Sequence, residues 1–364
     1  MDATAAGSQG LVVNGNAVFG DVGANQALAA LSVSGSSVLG GGTTVTTTGA
    51  QRYAGAVTAA GDATLSSSRG SLVFGSTVDG PLGNTLTLRA DTGDVDVTGA
   101  LRVGNLEQTV GGVSRFRNTV SAQGSIQLTA RSFTFGNALT ANKGAIALAN
   151  SDNAGLVNFA AGANVQAATG FRQTGGSMVY LPTRVSVTQG PISLDASASL
   201  PAGQASIETA GDISFSGLIG TDTALTMNGG RAGKLTVGLN DASTDNKLNV
   251  RSLAVQTAAS AAMYGAIGGQ SGAQAASLVT SPLVNAPYFI NDTPWGPVNE
   301  TPSGPIDRIP TVAAIMTPKI SLPGRQGVSS LFSRQVSPQS VALDAISAFR
   351  DPSVLNVLNE SSPQ

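Results

Sequence analysis

TLTLRADTGDVDVTGALRVGNLEQTVGGVSRFRNTVSAQGSIQLTARSFTFGNALTANKGAIALAN (residues 85–150) is a run of short apolar-alternating strings separated by Gly, Asn, Asp and Ser. TLTL (85–88), DVDV (94–97), SIQL (125–128), SFTF (132–135) and AIAL (145–148) each alternate with period 2, the pattern of a strand with one buried face. The strings are too short and too interrupted for helices. Their spacing carries more than their content. Leu65, Leu86, Leu106, Ile126 and Ile146 succeed one another at 21, 20, 20 and 20 residues. Val57 and Val78 are 21 apart, while Val120 and Leu139, and Phe116 and Phe135, are 19 apart.

A four-residue strand cannot by itself offset the ~1–2 kcal/mol per residue of backbone ordering. Coils stacked in parallel solve this, because each strand gains hydrogen bonds above and below and each inward side chain rests on its counterpart in the next coil. The texture predicts a parallel β-helix of about 20–21 residues per coil over residues 1–256, about twelve coils and a rod of roughly 55–60 Å. An antiparallel sandwich has no reason for a constant step, a leucine-rich horseshoe wants a fixed LxxLxLxxN frame, and a propeller wants a longer period.

Composition agrees. Of 364 residues 46 are Gly, charged residues make up 11 % against a usual ~25 %, and aromatics 4 %, yet 41 % are hydrophobic. The core is built from small and aliphatic side chains. No Cys and no His excludes disulfides, thiolate nucleophiles, the Ser-His-Asp triad and His-based zinc sites. A formal charge of −2 offers no footprint for nucleic acid. No apolar run is long enough for a transmembrane helix, and no signal peptide opens the chain. The repeat texture is present in LVVNGNAVFG (11–20), so the chain is expected either to continue a longer rod or to have its first coil covered by a neighbour.

GAQRYAGAVT (49–58), AGDATLSSSRGSLVF (60–74), VDG (78–80) and TLTLRADTGDVDVTGA (85–100) resemble the repeat region of filamentous haemagglutinin-type bacterial exoproteins. The resemblance covers roughly residues 1–256. It implies a right-handed all-β parallel β-helix, export to the cell surface or medium, an outer-membrane export partner of the two-partner secretion type, and an adhesive or structural role without enzymatic activity. It carries no information on the ligand. The family's N-terminal secretion domain has no counterpart here, and no C-terminal translocator barrel is present, which implies a distal or C-terminal fragment or a short stand-alone relative.

Several clusters invite a functional reading. Asp91, Asp94 and Asp96 (DTGDVD) could ligate a cation, but the spacing matches no calcium loop, and Asp94 and Asp96 are expected on a solvated face with Val95 and Val97 inward. A β-helical lyase or hydrolase needs carboxylates brought together by stacking, yet Asp62 and Asp79, and Asp195, Asp212 and Asp222, miss the step. Arg69 and Arg89, Arg231 and Arg251, and Arg115 with Arg117 could form a basic ladder for anionic glycans; a solubilising surface explains them as well. Phe74, Phe133 and Phe135 are expected to stack in the core. No cofactor, metal or catalytic residue is assigned.

Twelve of the 16 prolines lie in residues 282–364. Residues 257–281 read as an Ala/Gly/Ser-rich connector, 282–337 as a Pro-rich extended segment packing on the rod or a partner, and 338–364 as a short amphipathic helix and C-terminus. Tyr288, Phe289, Trp295 and Phe349 are the residues singled out for partner contact. The expected partners are a surface glycan or protein of a host or neighbouring cell, or a second copy joined end to end into a filament.

Overall fold

The computed structural model describes residues 1–220 and 223–238 and, beyond them, 247–248, 250, 252–258, 260–263, 266–267, 277–280 and 289–291. The chain winds as a right-handed parallel β-solenoid of about 11 turns. At ~4.8 Å per step the 13 stacked strands of the longest sheet span roughly 58 Å. Each turn visits three sheets in a fixed order. Among the described residues sheet A holds 11 strands, from Leu11–Val13 to Leu218–Gly220. Sheet B holds 13, from Ala17–Phe19 to Ser277–Thr280, and sheet C holds 12, from Thr43–Thr47 to Phe289–Asn291. Strands in neighbouring turns pair in parallel, so each short segment is hydrogen-bonded on both sides. Sheets B and C continue past residue 256 through Ser252–Thr257, Ser260–Met263, Ser277–Thr280 and Phe289–Asn291.

The interior is a set of side-chain columns. In sheet C one column runs Ala63, Leu86, Leu106, Ile126, Ile146, Phe171, Ile192, Ile213 and Leu235. Four of the five residues expected to pile up by spacing are in it. Leu65 is not: it pairs with Leu88 in the adjacent column, a step of 23 residues. Extra residues in the corner at 80–84, where Leu82 projects into solvent, displace the register by one inward position. The pairs Val57–Val78, Val120–Leu139 and Phe116–Phe135 stack as their spacing requires.

Sheet A carries the rings. Its inner column runs Val33, Tyr53, Phe74, Val97, Phe116, Phe135 and Phe159, all buried. Tyr53 and Phe74 stack at 5.4 Å between centroids, Phe116 and Phe135 at 5.5 Å, and Phe135 and Phe159 at 4.9 Å. Each such pair adds ~0.5–1.5 kcal/mol to what burial supplies. Phe133 is buried beside Phe135 at 6.1 Å, so Phe74, Phe133 and Phe135 belong to the core.

Most polar side chains inside the rod are matched; among the described residues the buried hydroxyls of Ser37 and Thr109 are the exceptions. Gln51 donates to the carbonyls of Val45 and Ser66 (3.1 and 2.8 Å), and its own carbonyl accepts the Tyr53 hydroxyl at 3.0 Å. Gln108 and Ser114 bond each other, and Gln173 bonds Asn150 and the Gly175 carbonyl. Gln108 also donates to the Thr129 carbonyl, so each of these buried glutamines gives its side-chain N–H to a backbone carbonyl. Corners are also stitched from one turn to the next by side chains that accept a backbone N–H above: Asp21 from Thr44 (2.8 Å), Asp62 from Thr85 (2.7 Å), Asn105 from Ser125 (2.9 Å) and Asp212 from Lys234 (2.8 Å). Stacking also explains the corner glycines. A Cβ on Gly93 would overlap the carbonyl oxygen of Gly70 in the turn below.

At the N-terminal end, residues 1–8 fold over the sheet C side. Ala3 N donates to Gln26 O (3.1 Å), Gly7 N to Ala27 O (2.9 Å), and the Asp2 carboxylate accepts the N–H groups of Asn25 and Gln26. In the first turn sheet C is reduced to isolated bridges at Val22 and Leu28. Strands Leu11–Val13 and Ala17–Phe19 pair on one edge only within the described chain.

Candidate functional site: the corner between sheets C and A

Arg89, Asp91, Asp94, Arg115 and Arg131 lie at or beside one corner of the middle turns, where sheet C hands over to sheet A, and Asp96 and Arg117 lie further along the outer face of sheet A. The alternation of DVDV fixes the outcome. Val95 and Val97 are buried, and Asp94 and Asp96 face outward. One turn above, Arg115 and Arg117 flank buried Phe116 and also face outward. The stack places base over acid. Arg115 Nη1 donates to Asp94 Oδ2 at 2.8 Å, and Arg117 binds Asp96 through Nε and Nη2 at 3.1 and 2.8 Å. Arg89 and Asp91 approach to 3.9 Å.

Asp94 has a second role. Its Oδ1 accepts the Val113 N–H at 2.8 Å, stitching the corner. Burial pushes its carboxyl up, but the Arg115 hydrogen bond, the Val113 N–H and the charges of Arg115 and Arg131 outweigh that and hold it below the usual carboxylate range. The hydrogen bonds that Arg117 donates to Asp96 hold its guanidinium above its already high ordinary value. Arg115 and Arg117 are therefore already neutralised, and the acids of DTGDVD are partners of arginines.

The other candidates are dispersed. Asp62 is a corner stitch, held below its ordinary value by the Thr85 N–H and the Asn84 side chain. Asp79 pairs in register with Arg102 on sheet B. Asp212 stitches Lys234, and Asp222 lies outside the described residues. Among the described residues there is no group of three or more Asp or Glu placed to hold a metal ion. Arg69 does not stack on Arg89, whose register partner is Ser66. Arg251 lies outside the described residues, as do Tyr288, Trp295 and Phe349; Phe289 is placed by its backbone opposite Ala261 in sheet C.

One group at this corner was not singled out by sequence. Arg131 lies in a polar recess of about 540 Å³ with Thr92, Gly111, Gly112, Ser151, Asp152 and Asn153. A smaller recess of about 290 Å³ lies over the outer face of sheet C, between Asp62 and Glu107. The sequence signal for the first was present in the unequal steps. Phe116 to Phe135 is 19 residues, and Phe135 to Phe159 is 24, so residues are inserted between those turns.

No protein-family model, no curated protein and no solved structure matches the chain. Among the described residues no helix is long and apolar enough to cross a membrane. What the geometry establishes is a right-handed parallel β-solenoid with a largely polar outer surface, on which Arg89, Arg115, Arg117 and Arg184 are ion-paired.

Proposed function

We propose that this chain is a non-enzymatic, exported structural and adhesive rod of the filamentous haemagglutinin type. The observation that carries the reading is the unbroken stack of parallel-paired turns from Leu11 to Leu235. Such a stack makes a stiff spacer whose stability is set turn by turn, while its corners stay free to vary and make contacts. The cadence of residues 49–100 supports the haemagglutinin-type assignment and, with it, surface display and a surface glycan or protein as partner. The test has two arms. Surface proteolysis and antibody labelling of intact producing cells should reach the protein, and beads coated with the purified chain should attach to target cells. Protein found only inside the cell, or coated beads that attach no better than bare ones, would defeat the reading.

A second reading, a filament or matrix subunit joined end to end through its coil ends and C-terminal tail, is favoured by the N-terminal end. There Leu11, Val13 and Ala17 are only partly buried, and Val12 and Val18 are 70 % and 80 % exposed beside strand edges paired on one side. Head-to-tail contacts of that kind build open polymers. Light scattering and electron microscopy of the purified chain separate the two: a concentration-dependent series of linear oligomers supports the filament, a monomeric rod the adhesin.

A further inference from the structure

Loop lengths at the corner between sheets C and A are uneven, and the unevenness makes a notch. After the strand Thr85–Ala90 the chain spends residues 91–94 before Val95 opens the next sheet A strand. After Ile146–Asn150 it spends residues 151–155 before Leu156. The two turns between these corner on one residue each, Gly112 and Arg131. Two longer loops thus stand as walls on either side of a floor two turns wide, three turn steps or roughly 14 Å apart. Gly112 keeps its part of the floor low: a Cβ there would come within 2.6 Å of Asp94 Oδ1, which would have to shift out of its bonds to Val113 and Arg115. The resulting volume falls within the ~300–1,000 Å³ of small-ligand sites.

The groups lining the notch are polar and largely unused. The Arg131 guanidinium is exposed and lies in the field of Asp94, but makes no hydrogen bond or ion pair with any described residue, unlike Arg115 and Arg117 beside it. Among the described residues the side chains of Ser151 and Asn153 have no partner either, and both are exposed. The Thr92 hydroxyl makes only a long bond, 3.4 Å, to the Arg69 carbonyl. Asp152 uses Oδ1 to accept the Ala154 N–H at 2.9 Å and leaves Oδ2 free.

This lining selects among ligand classes. It has no apolar side chain to receive the anchors of a peptide. The strands that border it, Asn105–Gly111, Val113–Phe116, Ile126–Ala130 and Ser132–Phe135, are each paired on both edges, so no edge is open for strand addition. A single unpaired guanidinium is too little for a nucleic-acid backbone. It matches one carboxylate in bidentate fashion, and the surrounding hydroxyl, carboxamide and carboxylate groups match a hydroxyl-rich chain. The geometry points to the notch as a binding site for a short acidic oligosaccharide, its carboxylate on Arg131 and its hydroxyls on Thr92, Ser151, Asp152 and Asn153. For its biological role this rests on the adhesive reading, to which it gives an address.

Calorimetric titration of the full chain with trigalacturonate, with the neutral trisaccharide maltotriose and with inorganic phosphate tests the assignment. Trigalacturonate should bind and maltotriose should bind at least tenfold more weakly. Arg131→Ala should weaken trigalacturonate about tenfold or more, the loss expected for a charge-assisted hydrogen bond, and Arg131→Lys should lie between it and the parent. Arg52→Ala, an exposed cation on the outer face of sheet A outside the notch, should leave binding unchanged. Arg131 is exposed, so circular dichroism should show the solenoid intact in each variant. Absence of trigalacturonate binding, equal binding of maltotriose, or indifference to Arg131→Ala overturns the proposal. Inorganic phosphate binding as tightly as the saccharide, an adventitious ion only, overturns it as well. Bead attachment that survives Arg131→Ala sinks the notch and leaves the adhesive reading standing; Arg131-dependent saccharide binding by a protein confined inside the cell does the reverse.

Discussion

The corner at Arg131 and the corner at residues 151–155 join the same two sheets in adjacent turns, yet one is closed by a single residue and the other by five. The strands on either side do not register the difference. Phe133 pairs with Val157 and Phe135 with Phe159 in unbroken parallel alignment. The columns inside the rod hold each strand by hydrogen bonds and packing above and below, whereas an outward loop is held only at its ends. Lengthening a loop costs little, about 0.6 kcal/mol per doubling. The fold therefore conserves its interior and leaves its corners free to differ, which is where a binding surface can be built without disturbing the rod.

That contrast can be broken at its strong side first. Phe135→Ala removes a ring stacked on both Phe116 and Phe159, and should cost about 3–5 kcal/mol by denaturant unfolding. Because each turn touches only its neighbours, hydrogen exchange should accelerate most in the turns around residues 113–159. A loss below about 1 kcal/mol would mean that the columns do not carry the stability.

Acid titration probes the stitches between turns, an intermediate case. Asp62 and Asp94 are both held below the ordinary carboxylate value in the folded rod. A depressed folded-state pKa contributes stability that is fully present above the unfolded value, ~3.9, and is lost as pH falls through the folded value. Melting temperature should be flat from neutrality to about pH 4 and fall below it. Asp62→Asn should shrink that fall; an unchanged acid limb in Asp62→Asn would show that this stitch is not responsible.

The weak side of the contrast predicts the smallest effect. Deleting residues 152–154 shortens one wall of the notch, keeps the strands, and should change unfolding free energy by less than about 1 kcal/mol. A loss comparable to that of Phe135→Ala would show that corner and column are not independent.

The period of the inner columns was readable because burial imposes it. Leu86, Leu106, Ile126 and Ile146 had to recur at 20 to face the same interior, and they do. Leu65 broke the count because two extra residues at the corner near Pro81 cost the fold nothing, and a spacing rule cannot tell an inserted corner residue from a shifted strand. The ion pairs were half legible. The outward faces of Asp94, Asp96, Arg115 and Arg117 followed from alternation, but which acid lies beneath which base depended on a 21-residue diagonal that no single spacing announced. Arg131 gave no signal by its type or its neighbours. It stands out only when the turns are laid side by side and its corner proves to be the shortest between two long ones.

Sequence alone determined the coil, its alternation of short strand and corner, and the residues that line the interior, since a side chain's burial follows from alternation within its own strand. Tertiary structure decided what lies above what: the neutralised arginines, the third sheet, the first turn's cover and the notch. Those depend on the summed lengths of intervening corners, and a corner's length is set by no local preference. A side chain can read its own strand, but its neighbour one turn away is fixed only when the whole turn has closed.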